Sequence, residues 1–201
     1  MSVRRFPVML ATVAGLLVAC SSSAPPSTEP PPTTVGPSSA PPSTAAATGQ
    51  PFVSASYGYT VTSTDWTGTD AKTTWGGTGF PGAGDPAVDV LDGPEGVEAY
   101  AFGEPTSETL KRFVADALAA NAKVHPCSAQ MPPPTAAAVA GAPAALQQGH
   151  CPPPGGIFVI SAMLVHAGRA YVFFTESIPA GTEPFTRNWF LAMLRLIRFT
   201  N

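Results

Sequence analysis

Between Ser21 and Gln50 the chain carries Pro25, Pro26, Pro30, Pro31, Pro32, Pro37, Pro41 and Pro42 among serines and threonines, with Glu29 as its one charge. A tract with so few large apolar residues cannot bury a core. Every element of a fold therefore has to come from Pro51 to Asn201, about 150 residues, which is enough for one domain with a substantial core. The tract itself reads as a disordered, semi-extended tether, roughly 30 Å long as a coil and up to about 90 Å as polyproline II. Its composition suits an O-glycosylated stalk and a plain spacer equally.

Ahead of the tether, Arg4 and Arg5 precede an apolar run from Phe6 to Val18 that ends in Leu17-Val18-Ala19-Cys20. A basic start, a short apolar stretch and a small residue before the cut are the parts of an export signal. The run is too short to span a bilayer, which takes about 20 apolar residues. Leu17 to Cys20 resembles the lipobox of exported bacterial lipoproteins. That resemblance implies removal of residues 1–19 and a diacylglyceryl group on the Cys20 sulfur. Two acyl chains suffice for stable anchoring where one does not, so the implied location is the extracytoplasmic face of the cell membrane.

Removing Arg4 and Arg5 would take the formal charge from −3 to −5. Lys72, Lys111 and Lys123 are the only lysines and form no cluster, which argues against nucleic acid as a partner. With Cys20 assigned to lipid, Cys127 and Cys151 remain as a pair in an oxidising compartment and are expected to form a disulfide. Closing a loop of about 25 residues contributes roughly 3 kcal/mol in the chain-entropy account. The enclosed segment, with Pro132-Pro133-Pro134 and an alanine-rich run, shows little else to hold it.

Within the domain, Tyr57 to Thr62 alternates as a first strand and ends at a turn near Asp65-Trp66. Trp75 to Pro86 is glycine-rich and reads as a loop. Val97 to Phe102 alternates as another strand. Ser107 to Asn121 has a helical apolar stripe of Leu110, Phe113, Val114, Ala117 and Leu118, capped by Thr106 or Ser107. Ile157 to Val165 and Ala170 to Glu176 flank His166-Ala167-Gly168-Arg169 as a hairpin. Thr182 and Pro184 open a second helix with Phe185, Trp189, Phe190, Met193 and Leu194 inward. Leu196 to Thr200 closes the chain as a strand.

This order, with Tyr57-Gly58-Tyr59-Thr60-Val61, Trp66, the Cys pair, Gly168-Arg169-Ala170-Tyr171 and the closing helix, resembles exported PsbP-like domains. Mycobacterial LpqN-type lipoproteins are similar in layout. The resemblance implies an α+β fold, an antiparallel sheet covered by helices, acting as a binding or assembly module rather than an enzyme. It carries no functional residue onto this chain.

Few side chains suggest chemistry. His125-Pro126-Cys127 with His150-Cys151 offers imidazoles and sulfurs for zinc or copper, but neither pair has a standard ligand spacing, so no metal is expected. Asp85, Asp89, Asp92 and Glu95 lack the EF-hand order. Gly76, Gly77 and Gly79 do not follow a phosphate-loop pattern. His166 reads as a solvated turn residue, there being no nucleophile elbow in the sequence. Trp75 and Phe80 stand out as large apolar residues in a glycine-rich loop, where such side chains either pack onto a sheet or form a binding edge. The expected role is a non-catalytic, cofactor-free domain that binds an envelope partner or a small apolar ligand. The rival readings are an envelope hydrolase and a structural or antigenic domain on a glycosylated stalk.

Overall fold

The computed structural model describes residues 50–76, 79–82, 84–151, 156–177 and 182–200. The export signal, Cys20 and the tether up to residue 49 lie outside the described residues. Among the described residues, ten strands and two α-helices build an α+β fold. Strands β3 (Thr67–Thr69), β4 (Asp89–Asp92), β5 (Glu98–Pro105), β6 (Thr135–Val139), β7 (Ala142–His150), β8 (Phe158–His166) and β9 (Arg169–Ser177) form one antiparallel sheet in the order β3-β4-β5-β9-β8-β7-β6. Strands β1 (Phe52–Ser54), β2 (Tyr59–Val61) and β10 (Ile197–Phe199) form a second, small sheet in the order β1-β2-β10. The last strand thus pairs beside the first two.

Helix α1 (Leu110–Val124) packs over β7 and β8, and α2 (Glu183–Leu196) packs over β9 and β2. Cross-strand partners share a face of a sheet. Gln147, Ser161, Phe174 and Tyr100 form one such row. On the opposite face Phe173 meets the ring of Tyr59 from the small sheet at 5.2 Å, edge to face. Covering both faces buries Ala99 to Gly103 and Ile160 to Leu164 without interruption. That accounts for continuous apolar runs where a half-exposed strand would alternate.

Several local expectations change. Tyr57 and Gly58 belong to the turn joining β1 to β2, and β1 itself precedes the expected first strand. The cap of α1 is Thr109, whose hydroxyl accepts from the Arg112 N–H, while the Thr106 hydroxyl accepts from Glu108 N–H one turn earlier. In α2, Phe185 is exposed, and Thr186 takes the inward place beside Phe190, Met193 and Leu194. The alanine-rich segment between the cysteines is held by more than the disulfide. Ala140-Gly141 turns it into the β6–β7 hairpin, and β7 pairs along β8.

Candidate functional site

The Gln147–Ser161–Phe174 row is incompletely covered by α1. Beyond the C-terminal end of that helix the chain makes a 3-10 turn, Pro126–Gln130, and the Phe80–Gly82 loop segment crosses from the other side. The space left is a cleft of about 160 Å³ with a predominantly apolar lining that includes Phe80, Met131, Ile157, Val159 and Phe174. Cys127 and Cys151 form its disulfide wall, with Cα atoms 5.1 Å apart, as the sequence predicted.

A few polar groups set the shape of the cleft. The Asn121 side-chain oxygen accepts from the Phe80 N–H at 3.3 Å, which fixes the loop to the helix end. A ring nitrogen of His125 lies 3.4 Å from the Phe80 carbonyl. Gln147, buried, donates to the Pro132 carbonyl at 3.1 Å and holds the proline run against β7. Ser161 lies in the floor, only 2% exposed, with no hydrogen bond to its hydroxyl among the described residues. Apolar walls with few polar groups are the kind of lining a ligand site has, and at about 160 Å³ this one has room for a small apolar group only.

Histidine, serine and carboxylate occur together here, as His125, Ser128, Ser161 and Glu176. Among the described residues no hydrogen bond joins one of these serines to the His125 ring. His125 engages Phe80, and the Ser128 hydroxyl donates to the His125 backbone carbonyl at 2.8 Å. A triad needs its nucleophile within hydrogen-bond reach of the imidazole.

Trp75 and Phe80 take different places. Trp75 is buried, with its indole N–H donating to Gly79 O at 3.0 Å and its ring edge-on to Phe102 at 4.6 Å. Phe80 is half-buried, edge-on to Phe102 at 5.4 Å and on the cleft wall. The acidic residues disperse. Asp85 accepts from the Ala87 N–H in a local turn, Asp92 and Glu95 are exposed, and Asp89 is fully buried. No group of three metal-ligating side chains occurs among the described residues.

Asp89 instead forms a buried junction between the sheets. Its oxygens accept from the Tyr59 hydroxyl and the Ala71 N–H, both at 2.7 Å. Burial raises its carboxyl to about 6, against the lowering effect of Ser54, the Ala71 amide and Tyr59, with Asp70 adding to the rise. Burial first, then the Asp89 charge, also raises the Tyr59 hydroxyl well above its ordinary value.

Sequence reasoning reached Phe80 and the disulfide wall but missed Ser161, Gln147 and Asn121. Ser161 had a signal, a lone hydroxyl in the middle of the apolar Ile157–Val165 run. Asn121 follows Ala117 at helical spacing, a polar residue on the apolar stripe.

No protein-family model matches the chain, and no curated protein matches it. One structural neighbour is the solution structure of cyanobacterial PsbP (CyanoP) from Synechocystis sp. PCC 6803. It has a TM-score of 0.49 and 12% identity, covering 75% of this chain and 91% of that one.

Proposed function

We infer that this is a membrane-anchored extracytoplasmic lipoprotein whose domain binds, without catalysis, a small apolar ligand or the apolar side chain of an envelope partner. The observation that carries the binding role is the Phe80–Phe174 cleft, apolar on its walls and bearing the Ser161 hydroxyl on its floor. Such a site takes an apolar body and orients it through one hydrogen bond. The anchor rests on Leu17 to Cys20, and the disulfide suits an oxidising compartment. The Pro-rich tract would hold the cleft away from the lipid surface.

Native mass spectrometry of the lipidated protein, extracted from membranes in mild detergent, tests the reading. The wild-type protein should retain an apolar molecule or a partner, and Val159→Glu, which places a charge in the cleft lining, should lose it while keeping its circular dichroism spectrum. A bare wild-type monomer overturns binding, and Ser161-dependent turnover of a chromogenic ester overturns the non-catalytic role. Cys20→Ser should move the protein from the membrane to the soluble fraction, and its retention in the membrane would overturn the anchor.

A further inference from the structure

A second cavity, of about 330 Å³, lies at the tip of the β8–β9 hairpin and shares no residue with the cleft. Its walls come from three parts of the chain: the β1–β2 turn, the start of β9 and the end of β10. Among the described residues they include Ser56, Tyr57, His166, Arg169, Phe199 and Thr200 and contain no Asp or Glu. For a chain of formal charge −3 this is a local exception.

Arg169 sits over the face of the Tyr57 ring, its guanidinium carbon 6.0 Å from the ring centre, and its Nη1 is buried with no hydrogen-bond partner among the described residues. A buried charged donor without an acceptor is costly, and native structures seldom leave one so. The ion pair found among the described residues is Arg112 with Asp116. Asp89, the acidic group that acts on Tyr57, is taken up by Tyr59 and the Ala71 N–H.

The platform under Arg169 is fixed. Tyr57 is 1% exposed, its hydroxyl donates to the Ala87 carbonyl at 2.5 Å, and its own carbonyl accepts from the Tyr171 hydroxyl at 3.1 Å. The preceding turn is tied by Thr106 N–H to Gly168 O at 2.8 Å, and the His166 ring is stacked on Phe199 at 4.4 Å. The guanidinium packs against this platform, and its N–H groups other than the buried Nη1 are the charged donors that an oxyanion in the cavity would meet.

We propose that the Tyr57–Arg169 cavity is a binding site for a compact oxyanion, a carboxylate or phosphate group, seated against the guanidinium with an aromatic wall at its side. The site is separate from the apolar cleft, at the other end of β8 and on the other face of the sheet.

The test uses the full chain carrying Cys20→Ser, so that membrane binding does not depend on the anchor. Calorimetric titration at constant ionic strength with inorganic phosphate and with acetate should show saturable binding by at least one. Flotation with phosphatidylcholine vesicles, with and without phosphatidylglycerol, asks whether a lipid headgroup supplies the anion. Arg169→Gln should weaken the positive arm at least about tenfold. Arg169→Lys, which keeps the charge but loses the fork, should fall between, and Arg198→Gln should match wild type. Should Arg169→Gln fail to fold, Arg169→Lys still reads the site. Saturation only by free ions supports a soluble oxyanion, and Arg169-dependent flotation only with phosphatidylglycerol supports a headgroup. No saturable binding in any arm, or binding that survives both Arg169 substitutions at full strength, overturns the proposal.

Discussion

Two hairpins lie next to each other in the large sheet, β6–β7 and β8–β9, and they turn in the same way on very different side chains. Ala140-Gly141 has φ of +51° and +81°, and Ala167-Gly168 has +46° and +75°. Both are the two-residue, left-handed turns whose twist matches antiparallel strands. Yet β8 and β9 are filled with Ile160, Met163, Leu164, Val172 and Phe173, all fully buried, whereas β6 exposes Thr135, Ala136 and Ala138 at the sheet edge. The edge hairpin has no Asp, Glu, Lys or Arg, and the central one carries Arg169 and Glu176 only near the two ends of β9. The central hairpin is placed by its own bulk. The edge hairpin is placed by its neighbours: β7 pairing on β8, Gln147 reaching Pro132, and the disulfide at its end.

The sharpest separation of the two should come from truncating the core. Phe173 is fully buried in β9 and contacts Tyr59 and Tyr171. Phe173→Ala should cost about 3 to 5 kcal/mol in urea unfolding, the transfer term plus the cavity left behind. Ala136→Thr on the exposed edge strand should stay within about 0.5 kcal/mol. Equal losses at the two positions would show that the edge hairpin carries its own packing.

The disulfide comes next. Cys127→Ala with Cys151→Ala should destabilise the domain by roughly 3 kcal/mol in the chain-entropy account. Hydrogen exchange should accelerate most in β6 and the β7 amides and least in β8–β9. Uniform acceleration would mean that the covalent link supports the whole sheet rather than the hairpin that depends on neighbours.

This difference also explains what could be read from the sequence. Ile157 to Glu176 announced itself because bulky apolar runs around a glycine turn have few other solutions. The β6–β7 hairpin did not, because alanine has little strand preference of its own and Pro143 looks like a breaker. Its strand character arises from a pairing with β8 that no local pattern encodes. Strand β4 was hidden for a related reason, since Asp89 reads as a loop residue until Tyr59 and Ala71 are seen to satisfy it. In the cleft, Phe80 was legible as an aromatic out of place in a glycine-rich loop. The roles of Gln147 and Asn121 depend on partners distant in sequence, Pro132 and Phe80.

The Asp89 junction lies on the Tyr59–Phe173 side of the central hairpin and makes the stability of the fold there depend on pH. With the folded carboxyl raised to about 6 from 3.8, the folded state holds the proton more tightly than the unfolded chain between those values. That preference stabilises the fold in full below about pH 4 and is lost as the pH rises through 6, on the order of 2 to 3 kcal/mol. The melting temperature should therefore fall across this interval, and Asp89→Asn should flatten that part of the curve. Exposed Asp92 and half-buried Glu104 shift in the same direction, so the difference between wild type and variant isolates Asp89. An unchanged slope in Asp89→Asn would assign the dependence to those groups instead.

The smallest effect should come from the turns themselves, where the two hairpins are most alike. Gly141→Ala and Gly168→Ala each put a side chain at positive φ, at about 1 kcal/mol for the backbone alone. At Gly141 no atom stands within 4 Å of an added Cβ, so the cost should end there and Gly141→Asn should recover most of it. Gly168 also accepts from Thr106 N–H, and its added Cβ would lie 3.9 Å from Thr106 O. A twist in that turn is therefore passed to the β5–α1 connection and to Arg169 beside it. Gly168→Ala should thus cost slightly more than Gly141→Ala and reduce oxyanion binding at the Arg169 cavity, leaving the cleft unaffected. If both variants lose the same stability and Gly168→Ala binds oxyanion as the wild-type protein does, the tip of the central hairpin is as isolated as that of the edge hairpin, and the contrast between them ends at the strands.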